Sequence, residues 1–203
     1  MAGCICGRSA DAPALRPITP YLFSLTSSVT HAPYLHPMSR LLRYFEPGQY
    51  CFLTGITAQR RPLLTGNADL LAQAVIRARA GLSFRFTAWV IMPNHFHAIL
   101  HAPDGNVSDI VHRIKLSFSL KYARRHKTAG KVWQRRFWDH IVRDDDDMLK
   151  HVDYIHYNPV RHGYVMSPGA WRLSTFRRYC RRGIYGVDWG AEEPDWGETS
   201  FGE

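Results

Sequence analysis

The sequence predicts an α+β fold: an antiparallel sheet with helices packed on one face, and a further helix lying against the sheet. Three observations carry that prediction. Runs rich in aromatic and β-branched residues alternate with segments whose apolar residues recur at helical spacing. Pro93-Asn94 falls between two of the strand-like runs, where Pro presets φ and Asn tolerates the second turn position, so the two runs form a hairpin. The resulting order, β-α-β-β-α-β and then a helix, is the split βαβ or ferredoxin-like arrangement, whose third strand is central.

Residues 1–37 stand outside this pattern. Pro13, Pro17, Pro20, Pro33 and Pro37 interrupt a Ser, Thr and Ala background without any sustained period, so this stretch is expected to be a disordered extension or to lie upstream of a start at Met38. The folded domain is expected over 38–190. Residues 49–57, Gln-Tyr-Cys-Phe-Leu-Thr-Gly-Ile-Thr, read as the first strand. Leu70, Leu71, Ala74, Val75 and Ala78 give 67–80 the stripe of a helix, with Asn67 as candidate cap and Gly81 closing it. Residues 84–92 and 95–101 are the two arms of the hairpin.

The second arm opens with His95-Phe96-His97. Alternate side chains of a strand share a face, so the two imidazoles point one way while Phe96, Ala98 and Leu100 point the other. Taken alone the pair admits two readings, ordinary hydrogen-bonded histidines or two groups set to share one ligand.

After Pro103-Asp104-Gly105, the residues Val107, Ile110, Val111, Ile114, Phe118 and Tyr122 recur as the apolar stripe of a second helix. Its other positions hold His112, Arg113, Lys115, Lys121, Arg124 and Arg125, which suit a solvated face and a phosphate-facing one equally. The stretch Trp133-Gln134-Arg135-Arg136-Phe137-Trp138 interleaves rings with arginines, a pattern that fits unpaired bases beside phosphates and fits plain packing as well. It leads into a fourth strand at His140-Ile141-Val142. Four consecutive acids, 144–147, mark the start of a third helix, where carboxylates cap the chain and favour its dipole. This helix is expected to stop at Tyr157 or Asn158, because Pro159 pushes its predecessor out of the α region. Tyr154 and Asn158, four apart, share a face. An arginine-rich segment follows Trp171, and residues 191–203 form an acidic tail expected to fray.

Composition narrows the function classes. The chain has 203 residues and 45% apolar content, enough for one core, and no apolar run approaches the ~20 residues of a membrane span. With no secretory leader pattern the protein is expected in the cytoplasm. Cys4, Cys6, Cys51 and Cys180 lack the spacing of a zinc site or a disulfide framework. A formal charge of +9, from 26 Lys and Arg against 17 Asp and Glu, points to a polyanionic partner such as nucleic acid.

Three segments together resemble the REP-associated tyrosine transposases, members of the HUH endonucleases. They are Trp89-Val90-Ile91-Met92-Pro93-Asn94-His95-Phe96-His97, Trp133 to Trp138 as written above, and His151-Val152-Asp153-Tyr154-Ile155-His156-Tyr157-Asn158-Pro159-Val160-Arg161-His162-Gly163. The resemblance spans roughly Met38 to Trp189. It implies that His95 and His97 hold a divalent metal, Mg²⁺ or Mn²⁺, that Asn158 takes the place of the third ligand, where related insertion-sequence transposases carry Gln, and that Tyr154 is the nucleophile. The implied reaction is transesterification of single-stranded DNA near hairpins of repetitive extragenic palindromes, through a 5′-phosphotyrosyl link. DNA contacts are then expected from Arg113, Lys115, Lys121, Arg124, Trp133, Gln134, Arg135, Arg136, Arg161, Arg177 and Arg178. The resemblance also implies a bacterial, nucleoid-associated protein, monomeric or homodimeric. His151 and Asp153 are both within reach of the tyrosine in sequence, and the sequence selects neither as a base. Two rival readings are a non-catalytic single-strand-binding module, which leaves the histidines and Tyr154 without a role, and a metal hydrolase that uses activated water.

Overall fold

Strand β1, Tyr50–Ile56, is buried almost without interruption, as a strand covered on both faces must be. The computed structural model describes residues 45–186, 188–196 and 199–202, so the expectation for 1–37 lies outside the described residues. The elements that follow are α1 (Ala68–Arg79), β2 (Arg85–Ile91), β3 (His95–His101), α2 (Val107–His126), β4 (Trp138–Ile141), α3 (Asp145–Arg161) and α4 (Phe176–Arg181). The sheet runs β2-β3-β1-β4 with every neighbour antiparallel, which is the split βαβ order with β3 inside.

Two cores form, one on each face. Leu53, Leu100, Ile110, Ile114, Phe118 and Trp133 fill the space beneath α1 and α2. Phe52, Val90, Met92, Ile99, Tyr154, Ile155 and Phe176 fill the other, beneath α3 and α4. Gly55 faces Phe96 across the strand pair, and a Cβ there would lie 2.3 Å from the Phe96 ring, so glycine is what lets that ring lie flat over β1. In β2 the register moves three residues, from Phe86 to Trp89, while β3 moves two, from Leu100 to Ala98. That extra residue is a bulge, and it brings Phe86 and Trp89 onto the same face. The outer edge of β2 is closed by the segment before α4, through Ile91 N–H to Leu173 O (2.8 Å) and Thr175 N–H to Trp89 O (3.0 Å). A covered edge offers no template for stray strand pairing. Among the described residues, no helix is long and apolar enough to cross a membrane.

Four expectations need correction. Helix α3 does not stop before Pro159 but runs through it to Arg161, closed by His162 N–H on Asn158 O (3.0 Å) and Tyr164 N–H on Pro159 O (2.9 Å). The bias against helix before proline is a preference, and burial of Tyr157, Asn158 and Pro159 itself outweighs it here. Asn67 makes no capping bond. Its amide nitrogen donates to Leu63 O and its oxygen accepts from Arg125 and His126, tying α1 to the end of α2 instead. Trp133, expected at a DNA surface, is 7% exposed in the core against Phe96 and Phe118. The tail is not frayed at Phe201, which is buried against α3. The acid run does start α3 as expected, with the Asp144 side chain accepting from Asp147 N–H at 2.8 Å.

Candidate active site

Strand alternation turns His95 and His97 to the α3 face, with ring centroids 4.9 Å apart and both side chains buried. Helix periodicity then sets three residues on the facing side, two of them in contact with the histidines. Tyr154 meets His97 edge-on at 5.3 Å, and His162, two turns later, meets His95 at 5.4 Å. Asn158 is buried on the same face, midway between these two. The three residues taken from the resemblance as metal ligands and the nucleophile are therefore gathered in one place.

The hydrogen bonds around the histidines fix which ring nitrogen carries the proton. The Thr54 hydroxyl donates to Phe201 O at 2.8 Å, so its oxygen must accept from His97 Nδ1–H at 2.9 Å. His95 Nδ1–H donates to Asn94 Oδ1 at 2.7 Å. Both rings are thereby set with the Nε2 lone pair as their coordinating atom, which is how metal-bound histidines are oriented by their outer partners. Two imidazole nitrogens and the Asn158 amide oxygen fit a divalent ion of mixed N/O preference with positions left for substrate.

Tyr154 is 0% exposed. Phe201 stacks on its ring with centroids 3.6 Å apart, Trp196 meets it edge-on at 5.6 Å, and Phe52 at 6.3 Å. Arg161, two turns along α3, donates from Nη1 to the Tyr154 hydroxyl at 2.9 Å, with its guanidinium carbon 5.2 Å from the ring centre.

Two polar clusters flank the site. At the start of α3, His140 Nε2 lies 2.7 Å from Asp147 Oδ2 and His151 Nδ1 lies 3.1 Å from Asp147 Oδ1; the three groups bring ligand atoms within 4.8 Å of one another, a grouping able to hold a metal ion. Burial pushes the Asp147 carboxyl up, but hydrogen bonds from His140 and from the Arg143 backbone and guanidinium outweigh it and bring it to about 2. Burial holds His151 below the usual histidine range. On the other side, Trp89 N–H donates to Thr175 Oγ1, whose hydroxyl donates to His156 Nε2 (2.8 Å); His156 Nδ1–H donates to Tyr185 Oη (2.9 Å), whose proton goes to Asp153 (2.7 Å). The Thr175 hydroxyl also lies 3.3 Å from Trp89 O, a second acceptor. Burial, and then the charge of Arg178, lower His156 to about 3. Burial raises the Asp153 carboxyl despite the Tyr185 hydrogen bond.

The expected DNA contacts are scattered. Arg113, Lys115, Lys121 and Arg124 lie on α2, in the layer opposite the histidines. Lys115 donates to Gln134 O and Lys121 to Gln73, while Gln134, Arg135 and Arg136 are exposed. Arg177 donates to Gly169 O and Arg178 to Thr87 O, holding α4 in place. Of the residues named, Arg161 alone has a hydrogen bond to Tyr154. Sequence reasoning missed His162, Thr54 and Phe201. His162 was signalled by its two-turn spacing from Tyr154, had the helix been carried past Pro159.

Residues 49–158 match the family model described as "Transposase IS200 like". The chain belongs to the IS200-like transposase family. It is 36% identical over 162 residues to a REP-associated tyrosine transposase of Escherichia coli (strain K12), covering 78% of this chain and 94% of that protein. A protein of Haemophilus influenzae is 34% identical over 171 residues, covering 78% of this chain and 96% of its own length. A solved structure of a REP-associated tyrosine transposase bound to a REP hairpin superposes with a TM-score of 0.72 at 36% identity, covering 82% of this chain and 98% of the other. As a tyrosine transposase of this family, the protein is an enzyme with Tyr154 and the His pair in its matched region.

Proposed function

We propose that this transposase cuts and rejoins single-stranded DNA beside a REP-type hairpin, with Tyr154 as nucleophile. The observation that carries the reading is the junction of Tyr154 with the oriented His95–His97 pair, in a chain 36% identical to a relative solved on a REP hairpin. The Tyr154 oxygen attacks the scissile phosphorus; the new P–O bond replaces the bond to O3′, the phenol proton passes to water, and O3′ takes a proton from water. The product is a 5′-phosphotyrosyl link and a free 3′-hydroxyl, which reverses the step when it attacks in turn. His95 Nε2, His97 Nε2 and Asn158 Oδ1 would hold a divalent ion, Mg²⁺ or Mn²⁺, which would supply Lewis-acid stabilisation of charge on the phosphate oxygens. Asn94 and Thr54 hold the imidazoles in the required tautomer, and the apolar wall of Phe52 and Phe201 keeps bulk water from competing with the tyrosine. Exposed Arg113, Arg124, Arg135 and Arg136 are suited to the backbone of the hairpin, a sequence-independent and salt-sensitive contribution.

The test is a hairpin oligonucleotide labelled on the 3′ side of the cut, incubated with Mn²⁺ and run under denaturing conditions. Wild type yields a labelled protein band and Tyr154→Phe yields none, while both shift the DNA in a native gel. A covalent band from Tyr154→Phe would move the nucleophile elsewhere. Cleavage by wild type without any covalent band would favour a metal hydrolase.

A further inference from the structure

Arg161 is exposed, yet its guanidinium is directed inward at the hydroxyl of a tyrosine with no exposed surface. It gets there because α3 continues through Pro159, so positions 154, 158 and 161 stay on one face. Arg161 supplies a fixed positive charge at the Tyr154 oxygen itself. We propose that Arg161 is a catalytic residue of this transposase, holding the Tyr154 oxygen for attack and then sharing its fork with a non-bridging oxygen of the scissile phosphate. This rests on the tyrosine reading of the preceding section.

The geometry favours that role over a simple backbone contact. The atom Arg161 touches becomes the bridging oxygen of the adduct, so a donor 2.9 Å from it stands beside the phosphorus as the P–O bond forms. A guanidinium presents five N–H donors in a rigid planar fork, wide enough to hold the tyrosyl oxygen and a phosphate oxygen together, which a lysine ammonium does not reproduce. Donors placed where charge develops gain strength in a site walled from water, as Phe201, Trp196 and Phe52 wall this one. In the reverse step the same fork holds the same oxygens, while the 3′-hydroxyl gives its proton to water, O3′ displaces the tyrosine, and Tyr154 regains a proton from water.

Single-turnover adduct formation on a hairpin oligonucleotide with Mn²⁺, measured beside hairpin affinity by fluorescence anisotropy, separates chemistry from binding. In Arg161→Gln the adduct rate is expected to fall about 100- to 1000-fold, the usual range for removing one such donor, and rejoining should fall by the same factor. Hairpin affinity should change far less. Arg161→Lys should recover only a small part of the rate. Millimolar guanidinium should accelerate Arg161→Ala but leave Tyr154→Phe inert. An adduct rate in Arg161→Gln close to wild type would overturn the inference, as would a rate loss matched by an equal loss of hairpin affinity. A wild-type protein that cleaves without an adduct would overturn the tyrosine reading, and this role for Arg161 with it.

Discussion

The rings of Tyr154 and Phe201 lie parallel, 4° apart in plane with centroids separated by 3.6 Å. The Phe201 carbonyl meanwhile accepts the Thr54 hydroxyl, so one residue touches the site twice, by its ring on Tyr154 and by its backbone on the group that orients His97. Substitution separates the two contacts. Phe201→Ala keeps the carbonyl and deletes the ring; it is expected to cost about 3 kcal/mol, at the low end for a buried Phe→Ala change, and to uncover one face of Tyr154. Adduct formation should then be slower than in wild type at a temperature where both are folded, because the ring that walls the site from water is gone. A lowered melting temperature with an unchanged adduct rate would show that this ring stabilises the fold and does not serve the reaction as a wall.

Thr54→Val preserves most of the side-chain volume and removes the oxygen that receives His97 Nδ1–H. With the tautomer no longer held, metal affinity is expected to fall about 10- to 100-fold. The measurement is the Mn²⁺ concentration giving half-maximal adduct formation. Hairpin affinity without metal should match wild type, and a half-maximal Mn²⁺ concentration equal to that of wild type would remove Thr54 from this role.

Acid should destabilise the protein in a defined order. His156 sits at about 3 in the fold against an ordinary 6.5, so between those values the unfolded chain binds one more proton and stability falls as pH drops. The slope is up to about 1.4 kcal/mol per pH unit. Asp147, at about 2 against 3.8, adds its own loss only between those lower values. His156→Gln should flatten the dependence of Tm on pH between 6.5 and 4 by about one proton's worth. An unaltered slope would assign the response to other groups.

Gly55→Ala tests the contact between β1 and Phe96. The added methyl meets the ring at 2.3 Å, and the ring is pinned by Trp133, so strand or ring must shift. The expected loss is about 1 to 3 kcal/mol, read by denaturant unfolding. Phe96→Leu in the same chain should recover part of it, and additive losses from the two changes would show that they do not meet.

The strands were legible from their aromatic and β-branched content, the hairpin from local turn chemistry, and the face shared by His95 and His97 from the alternation of side chains along a strand. The run of acids announced α3 by a local signal too, since Asp144 acts on an N–H three residues away. What stayed hidden depends on partners remote in sequence. Thr54 reaches Phe201 across 147 positions, and no periodic signal marks either residue for the other. The end of α3 is not legible locally, because burial of Tyr157, Asn158 and Pro159 outweighs the bias before proline, and the place of His162 beside His95 depends on that continuation. Trp133 was misplaced because aromatic residues among arginines look the same whether the ring points into a core or out of it.

Strand β3 gives one face to chemistry and the other to packing, with Phe96 and Leu100 turned away from the histidines. Descendants of this sequence can therefore alter the α1–α2 layer one substitution at a time while their reactive residues keep their positions. Codon gain or loss is another matter. Shifting this strand by a single residue would exchange its two faces, burying the imidazoles among leucines and presenting phenylalanine to Tyr154. The lineage is free to drift by replacement here, and barred from drifting by insertion.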